Sequence, residues 1–538
     1  MQSYRSDALI IGGGLAGIAA ALELLDRGVR VLLVDRDAQA NFGGLARESF
    51  GGIFVVGSDE QKRAKVDDSP ELALADWTSF GELSDADLWP RRWAEAYVHR
   101  CRDDVYRWLK ARGLGFVPMP LWAERGEARR GNSVPRFHLA WGTGREIVNV
   151  LLRRLQAHPQ RAKLELRFGH RVERLTAAGG ALSGAAGTLE ADDTPFEAHA
   201  SCVLIAAGGV GGNQELMRKH WHADWRTPPE VLLNGSHRYA DGRLHDAARA
   251  AGAQVTHLDR MWNYASGVHH PRPRKALHGL SLVPARSALW LDWQGRRLDP
   301  PLVSGLDTRA LVTRVCATER QYSWHLLNRR IALKELAISG AEFNPAIRER
   351  RRLAFLRDLL LGNRWLVNEM TRDFPDVLVA DSLDELAAKM NALAGDDAVK
   401  TENLRDAVAR YDRELDLPFE RRHDPQLRCV AEMRASWRGD RLRLCAGQKI
   451  VDSRALPLIA IRMFVISRKT LGGIQTDLEC RALDARGAPL AGLYAAGEAA
   501  GFGGGGMHGL RALEGTFLGG CVFTGRIAGQ SMARAVAG

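Results

Sequence analysis

The chain has 538 residues and a mass of 59.3 kDa, a length that fits two to four domains of about 150 residues each. Its hydrophobic fraction of 46% and charged fraction of 26% exclude collagen-like, wholly disordered and multi-span membrane chains. The net charge is +11, but the basic excess is scattered and forms no run of five basic residues. This pattern favours a solvated charged surface over a nucleic-acid site, and the more useful implication of the charge is an anionic substrate or cofactor phosphate.

The cysteines exclude several classes of site. There are seven, an odd number, and no two of them form a CxxC motif. We therefore expect no disulfide framework, no metal site and a reducing, cytoplasmic compartment. Because no 18-residue apolar stretch occurs, we also expect no spanning membrane segment.

The first 35 residues carry a complete dinucleotide-binding unit. Residues 8–11 form a short apolar strand, and residues 12–17 fit the motif GxGxxG. A helix over residues 18–25, stopped by Gly28, leads to a second apolar strand at 29–34. This strand–turn–helix–strand context makes the glycine motif specific for a dinucleotide.

Each position of the unit has a physical role. Gly12 permits the tight turn, Gly14 lets the backbone approach the diphosphate, and Gly17 allows the helix to pack closely on the strand. The phosphates would lie at the helix N-terminus, and Asp35 would accept hydrogen bonds from ribose hydroxyls.

Distant segments favour FAD over NAD as the ligand. Residues 41–57 are rich in glycine, residues 201–209 read as an apolar strand ending in Ala-Ala-Gly-Gly, and residues 492–498 read as a strand ending in Gly-Glu. A ligand touched by positions so far apart is long. A second GxGxxG at 504–509 has no strand running directly into it, and no Asp or Glu occurs from Thr516 to Gly538, where the ribose-binding acid would fall. We therefore do not assign it to a nucleotide.

These segments resemble the flavoprotein superfamily of fumarate reductase, succinate dehydrogenase and 3-ketosteroid dehydrogenase. The matching segments are Gly43–Ile53, Ala206–Gly209 with Asn213, Asp241–Gly242, Thr470–Ile474 and Ala496–Glu498, and the tail 501–529 is similar to bacterial FAD-binding dehydrogenases. The resemblance implies an α/β fold: a Rossmann-like FAD-binding domain with an inserted α+β substrate (cap) domain. The expected bounds are 1–259 and 467–538 for the FAD-binding domain and 260–466 for the cap domain.

The unit and the resemblance together predict the cofactor-binding residues. They are Gly12, Gly14, Leu15, Ala16, Gly17, Asp35, Arg36, Gly43, Gly44, Leu45, Ser49, Gly51, Gly52, Val172, Ala206, Ala207, Gly208, Gly497, Glu498, Thr516, Phe517 and Leu518. Ser49 is followed by Phe50, so the [ST]-H-[ST] segment for covalent attachment is absent and we expect non-covalent FAD.

Thr516 is predicted to cap a helix that runs through Met532. In the family, the start of this helix points at the flavin pyrimidine edge, where its N–H groups would stabilise negative charge. The alternative is a buried packing helix without that role. His508 and Glu514 are of interest because they lie near the helix start in the sequence.

The catalytic positions depart from the family patterns. Ala512 stands where fumarate reductases have a substrate-binding arginine, although Arg511 is adjacent. Arg468 or Lys469 replaces the histidine before T-x-G-G, and the catalytic tyrosine of ketosteroid dehydrogenases is absent from 456–460.

The catalytic candidates are therefore Arg511, Arg468 and Tyr264. The arginines would polarise a carbonyl or carboxylate, with surface or ion-pair arginines as the alternative. Tyr264 would act as an acid or base, with a core tyrosine as the alternative.

The sequence favours an FAD-dependent oxidoreductase that dehydrogenates a C–C bond next to a carbonyl in a ketosteroid-like or other cyclic ketone. It would pass a hydride to flavin N5, with a small-molecule substrate and an unidentified electron acceptor. Dehydrogenation is preferred because no haem-binding CxxCH motif is present. Two alternatives stay open: reduction of an activated alkene with a separate electron donor, as in fumarate reductase, and a non-catalytic flavin-binding redox partner subunit.

Overall fold

The computed structural model describes every residue from Met1 to Gly538 and divides into two compact units. The first unit contains Met1–His220, Ser236–Trp262 and Arg468–Gly538, and the second contains Trp221–Gly235 and Asn263–Ser467. The domain bounds drawn from the sequence stay a prediction. They differ from these units chiefly at Trp221–Gly235.

The chain contains both strands and helices throughout. The strands are β1 (Gln2–Arg5), β2 (Ala8–Ile11), β3 (Val31–Val34), β4 (Gly52–Phe54), β5 (Phe137–Leu139), β6 (Leu164–Arg167), β7 (His170–Ala178), β8 (Ala181–Leu189), β9 (Pro195–His199), β10 (Cys202–Ile205), β11 (Leu232–Asn234), β12 (Val255–Thr256), β13 (Met261–His269), β14 (Gly279–Val283), β15 (Leu289–Leu291), β16 (Tyr322–Asn328), β17 (Ala337–Ser339), β18 (Val377–Ala380), β19 (Leu458–Thr470), β20 (Gly473–Ile474), β21 (Arg481–Leu483) and β22 (Pro489–Ala495). The α-helices are α1 (Leu15–Asp26), α2 (Asp59–Arg63), α3 (Pro70–Gly81), α4 (Leu88–Cys101), α5 (Trp108–Ala111), α6 (Thr143–Gln156), α7 (Gln214–Lys219), α8 (Arg243–Ala250), α9 (Thr308–Cys316), α10 (Arg329–Glu335), α11 (Pro345–Arg348), α12 (Arg352–Leu361), α13 (Arg364–Asp373), α14 (Leu383–Ala394), α15 (Thr401–Asp416), α16 (Pro425–Ser436), α17 (Arg438–Arg443) and α18 (Thr516–Ala537). None of these helices is long and apolar enough to cross a membrane.

A six-stranded sheet organises the first unit. Its order is β21-β22-β10-β2-β3-β6, and all neighbours are parallel except the edge pair β21–β22. Every residue of β2, β3 and β10 is buried, which explains why these strands are apolar without alternation. A separate four-stranded sheet has the order β1-β9-β8-β7.

The second unit is built around an eight-stranded sheet. Six strands follow the order β15-β16-β19-β13-β14-β17, while β11 and β18 both pair with β19. Pairing within it is mostly antiparallel, with β11 parallel to β19.

The end of α1 explains one difference from the predicted elements. The second strand was expected from Val29, but β3 begins at Val31. The N–H of Val29 donates to the carbonyl of Leu24 at 3.1 Å and so completes the helix C-terminus. Gly28 adopts a φ of +74° at this point, as the predicted helix stop requires.

Helix α18 lies against α1 with its backbone close to that of α1. A Cβ on Gly525 would stand 2.3 Å from the Ala16 carbonyl oxygen, and a Cβ on Gly529 would stand 2.6 Å from that of Ala20. Between the same helices, Arg526 Nε lies 2.6 Å from Glu23 Oε1. The four-residue spacing of the glycines thus anchors α18, and with it the position of its N-terminus, in the first unit.

Candidate active site

The glycines of the N-terminal motif leave room for a ligand beside the start of α1. Gly12 has a φ of +110°, and a Cβ there would stand 2.4 Å from Ala206 O. A Cβ on Gly17 would stand 2.1 Å from Gly12 O, whereas one on Gly14 would meet only Ala206 O, at 3.9 Å. No side chain caps α1, and no acidic residue lies in its first turn. Gly12 and Gly17 therefore serve the fold, while Gly14 borders open space next to uncapped helix N–H groups.

Asp35 follows β3 and is held by backbone donors. Its Oδ2 accepts a hydrogen bond from Gly13 N at 2.5 Å, and its Oδ1 accepts one from Asp37 N at 2.7 Å. Burial raises the pKa of the Asp35 carboxyl above its usual value. Each carboxylate oxygen keeps a further acceptor site, as a ribose-binding acid requires.

Arg36 lies among groups of the same unit rather than in solvent. Its Nε is 2.5 Å from Glu190 Oε1, its Nη1 is 2.7 Å from Asp241 Oδ2, and its guanidinium lies 4.3 Å from the centroid of the Tyr239 ring. The resemblance to the family includes Asp241 in a turn, and the structure brings that turn into contact with Arg36, just after the end of β3.

The glycine-rich loop after β3 lies close to neighbouring elements. A Cβ on Gly43 would stand 2.3 Å from Val148 of α6, and one on Gly52 would stand 1.8 Å from the Phe137 ring. Gly51, with a φ of +91°, would place a Cβ 2.5 Å from the start of α6. Ser49 donates its hydroxyl to the Ala46 carbonyl at 2.7 Å. The loop is thus fixed by close backbone packing, and Gly43 also donates its N–H to Gly13 O of the first motif at 2.9 Å.

Three distant motifs meet at Glu498. Its Oε1 accepts a hydrogen bond from Thr470 N at 3.0 Å, and the Thr470 hydroxyl oxygen accepts one from Val210 N at 3.0 Å. A Cβ on Gly209 would stand 2.5 Å from Glu498 Oε1. Burial raises the pKa of the Glu498 carboxyl. The Ala-Ala-Gly-Gly, T-x-G-G and A-G-E segments therefore form one cluster.

The start of α18 differs from its predicted form. Gly515, with a φ of +96°, is the N-cap, so the prediction that Thr516 caps the helix is wrong. Thr516 is instead the first helical residue. Its hydroxyl donates to Leu513 O at 2.6 Å and lies 2.8 Å from His508 Nε2. Because the hydroxyl proton is used, His508 Nε2–H is the donor in that contact.

His508 is fully buried in an aromatic cage. Its ring stacks on Trp77 at 5.5 Å with an interplanar angle of 13°, and Phe502 and Phe517 also contact it. Burial lowers the pKa of His508 to about 3, so the ring is neutral at physiological pH. Its Nδ1 is buried without a hydrogen-bond partner.

Lys469 lies beside the first turn of α18, which His508 also contacts. It was not among the predicted catalytic residues. Its Nζ stands 4.0 Å from the centroid of the Phe517 ring, which belongs to the first turn of α18. Burial lowers the pKa of Lys469 to about 8, with Glu514 acting in the opposite direction. Glu514 Oε1 in turn accepts a hydrogen bond from Trp262 Nε1 at 3.1 Å. An amine with this pKa can exchange a proton near neutral pH.

The three predicted catalytic residues lie in different surroundings. Arg511 forms an ion pair with Glu82, a contact that favours its ion-pair alternative. Arg468 lies in β19 next to Lys469 and is partly buried. Tyr264 belongs to β13 in the second unit and is also partly buried. Their catalytic roles stay predictions.

The other predicted cofactor residues are found on the same unit. Ala206 and Ala207 follow β10, where Ala206 N donates to Ile11 O at 2.8 Å. A Cβ on Gly44 would approach Gly14 Cα at 3.6 Å, and one on Gly497 would approach Ala16 Cβ at 2.9 Å. The remaining residues are Leu15 and Ala16 in α1, Leu45 in the loop, Val172 in β7, Gly208 after β10, and Phe517 and Leu518 in α18.

The residues present fit a dinucleotide with a flavin. The space beside Gly14, the uncapped N-terminus of α1 and the fixed Asp35 carboxylate suit a diphosphate and a ribose. The buried, unpartnered His508 Nδ1 and the N-terminus of α18, which also lacks a side-chain cap, suit a polar ring edge. These features define the class of protein as a flavin-binding oxidoreductase with a Rossmann-like core.

Comparison with known proteins agrees with this class. Residues 7–518 match the FAD binding domain family, and the chain belongs to that family. It is 44% identical to a KsdD-like steroid dehydrogenase of Mycobacterium tuberculosis, over 99% of this chain and 96% of the relative. It is 42% identical to a KsdD-like steroid dehydrogenase of Mycolicibacterium smegmatis, over 95% of this chain and 96% of the relative.

Solved structures share the fold. A flavocytochrome c3 fumarate reductase superposes with a TM-score of 0.69 at 21% identity, covering 100% of this chain and 79% of that one. The 3-ketosteroid-Δ4-(5α)-dehydrogenase of Rhodococcus jostii RHA1 superposes with a TM-score of 0.65 at 19% identity, covering 99% and 98%. The predicted fold class, the FAD cofactor and an oxidoreductase that acts on CH–CH groups are thereby confirmed.

Proposed function

We propose that the chain dehydrogenates a ketosteroid, forming a C=C bond next to the carbonyl. The observation that carries this substrate class is the 44% identity to a KsdD-like steroid dehydrogenase over nearly the full length of both chains. In this reaction a proton leaves the carbon beside the carbonyl, and a hydride leaves the adjacent carbon with the electron pair. When bound, FAD supplies a hydride acceptor.

Lys469 is the group that we propose to receive the proton. The acidic carbon beside a carbonyl needs a base whose pKa lies near the working pH, and burial lowers the pKa of Lys469 to about 8. In its neutral form, Nζ has a lone pair and takes the proton to become an ammonium. The Phe517 ring face and the Glu514 carboxylate then stabilise the positive charge.

His508 has a positioning role in this proposal. A ring whose pKa is lowered to about 3 is too weak a base to hold a proton at neutral pH. Its Nε2–H fixes the Thr516 hydroxyl, and its ring contacts Phe517, so it orients the first turn of α18 next to Lys469.

FAD binding is proposed to be non-covalent and to involve the N-termini of α1 and α18. Gly14 and the first turn of α1 would hold the diphosphate, Asp35 would hold the ribose, and the α18 N-terminus would face the flavin.

We further propose a cytoplasmic location for the chain. The odd number of cysteines supports a reducing compartment of this kind.

The test is an anaerobic visible spectrum of the holoenzyme before and after a saturated 3-ketosteroid is added. We expect the flavin absorbance to bleach with the ketone and to stay unchanged with the matched 3-hydroxysteroid, whose neighbouring C–H is not acidified. Bleaching by neither steroid would overturn the substrate class. Reoxidation of pre-reduced enzyme by fumarate-like alkenes, without bleaching by ketosteroids, would favour the reductase alternative.

A further inference from the structure

Helix α12 in the second unit is unusually exposed for its composition. Leu353 is 83% exposed, Leu360 is 68% exposed and Leu361 is 69% exposed. No residue of this ten-residue helix is buried. We use the name α12 face for the exposed apolar side chains Leu353, Leu356, Leu360 and Leu361 of α12 together with Trp365 at the start of α13.

These side chains form a patch rather than scattered surface residues. Leu353, Leu356 and Leu360 are spaced by three and four residues and therefore lie along one side of the helix. Helix α17 packs against α12 and exposes a further leucine, Leu442. A contiguous apolar surface of this kind on a folded chain marks an interaction site.

The surroundings of the α12 face are strongly basic. Residues 348–365 contain six arginines and only two acidic residues. Both acids already pair with arginines: Glu349 with Arg351 at 2.8 Å, and Asp358 with Arg357 at 2.8 Å. Exposed Arg438 and Arg441 precede Leu442 on α17 by four residues and one residue. The face therefore carries a positive charge that the acids in these segments do not cancel.

The positive charge around the α12 face favours one kind of binding partner over another. A second copy packed through the same face around a two-fold axis would place arginines against arginines, which repel. An anionic bilayer offers what the face lacks, because lipid phosphates accept hydrogen bonds from guanidinium groups and the acyl boundary receives leucine and tryptophan side chains. We propose that the α12 face binds the surface of an anionic lipid bilayer, lying in the interface rather than crossing the membrane.

The experiment is co-sedimentation of the holoenzyme with vesicles. We expect binding to phosphatidylcholine vesicles containing about 30 mol% phosphatidylglycerol and at least about tenfold weaker binding to pure phosphatidylcholine. Raising the salt from about 0.1 M to 0.5 M should weaken binding to the anionic vesicles, since the interaction is partly electrostatic.

Two pairs of variants separate the apolar and charged contributions. Leu353→Ser/Leu360→Ser should lower the partition coefficient at least about tenfold, while Leu88→Ser/Leu478→Ser, exposed leucines of the first unit, should leave it unchanged. Arg352→Glu/Arg364→Glu should weaken binding to the anionic vesicles. The matched control Arg413→Glu/Arg486→Glu makes the same change in net charge at an exposed arginine of α15 and an exposed arginine of the first unit.

Flavin absorbance and thermal midpoint confirm that each variant is folded. The proposal is overturned if the holoenzyme binds neither vesicle, or if the leucine variants and their controls bind equally. It is also overturned if light scattering shows a dimer that Leu353→Ser/Leu360→Ser dissociates, because the face would then be an interface between copies.

Discussion

The Nζ atom of Lys469 lies 4.0 Å from the centroid of the Phe517 ring, at the first turn of α18. This contact joins the end of β19, where the T-x-G-G motif begins, to the helix that is expected to face the flavin. The aromatic face stabilises the buried amine as a cation, whereas the loss of hydration favours its neutral form. The loss of hydration has the larger effect, and it lowers the pKa of Lys469 to about 8. The proposed base is therefore built by two segments that are distant in sequence.

Removing the Lys469 amine should slow the chemical step. Lys469→Met keeps an unbranched, apolar side chain of similar size, so packing is largely retained while the amine and its contact with the Phe517 ring are lost. We expect kcat for ketosteroid dehydrogenation to fall by about 10²- to 10⁴-fold. Flavin content and the visible spectrum should be unchanged, and the exposed control Lys389→Met should retain full activity. A Lys469→Met enzyme with normal kcat would exclude Lys469 as the base.

The pH dependence follows from the same pKa. Lys469 acts as a base only when neutral, and its neutral fraction rises about tenfold per pH unit below the pKa. The rate of flavin reduction by substrate should therefore rise from pH 6 to about 8 and level off above that value. Stopped-flow absorbance measures this rate directly. Persistence of the same rising limb in Lys469→Met would assign it to another group.

More of the cofactor site than of the catalytic site could be predicted from the sequence. The role of Gly17 follows from local strand and helix patterns, and the structure shows the close packing that the motif implies. Alternation along β19 indicates that Arg468 and Lys469 point to opposite faces, but not which face meets α18. That choice depends on the position of α18, which is set by its packing on α1. The contact between Arg511 and Glu82 spans more than 400 residues, so no local pattern predicts it.

Gly14 offers a test of the cofactor site that is separate from folding. A Cβ at Gly14 would meet only Ala206 O at 3.9 Å, and its backbone is extended with φ −74°. Gly14→Val should therefore fold but lose FAD, because the side chain fills the space next to the uncapped α1 N-terminus. Gly12→Val should instead fail to fold stably, since its Cβ would clash with Ala206 O at a φ of +110°. Flavin absorbance per chain and circular dichroism distinguish these results; full FAD occupancy in Gly14→Val would contradict the diphosphate assignment.

Thr516 tests whether its hydrogen bond with His508 stabilises the first turn of α18. Thr516→Val keeps the shape of the side chain but removes the acceptor for His508 Nε2–H, leaving a buried donor without a partner. We expect the free energy of unfolding to fall by about 1–3 kcal/mol. Thr516→Ser retains the hydroxyl and should lose much less. Urea unfolding followed by tryptophan fluorescence measures the difference, and equal stabilities of the two variants would show that this hydrogen bond does not hold the first turn of α18.

Substitution of Arg511 distinguishes between two roles for this side chain: a structural ion pair and a contact with the substrate. The side chain is 12% exposed and pairs with Glu82, which is 25% exposed and also pairs with Arg129 at 2.8 Å. If the pair is structural, Arg511→Gln should lower stability by about 0.5–1 kcal/mol and leave KM for the ketosteroid unchanged. Glu82→Gln should have a similar effect, and the double variant should lose less than the sum of the two, because either change alone breaks the pair. A rise in KM of tenfold or more in Arg511→Gln, with Glu82→Gln unaffected, would instead show that Arg511 contacts the substrate.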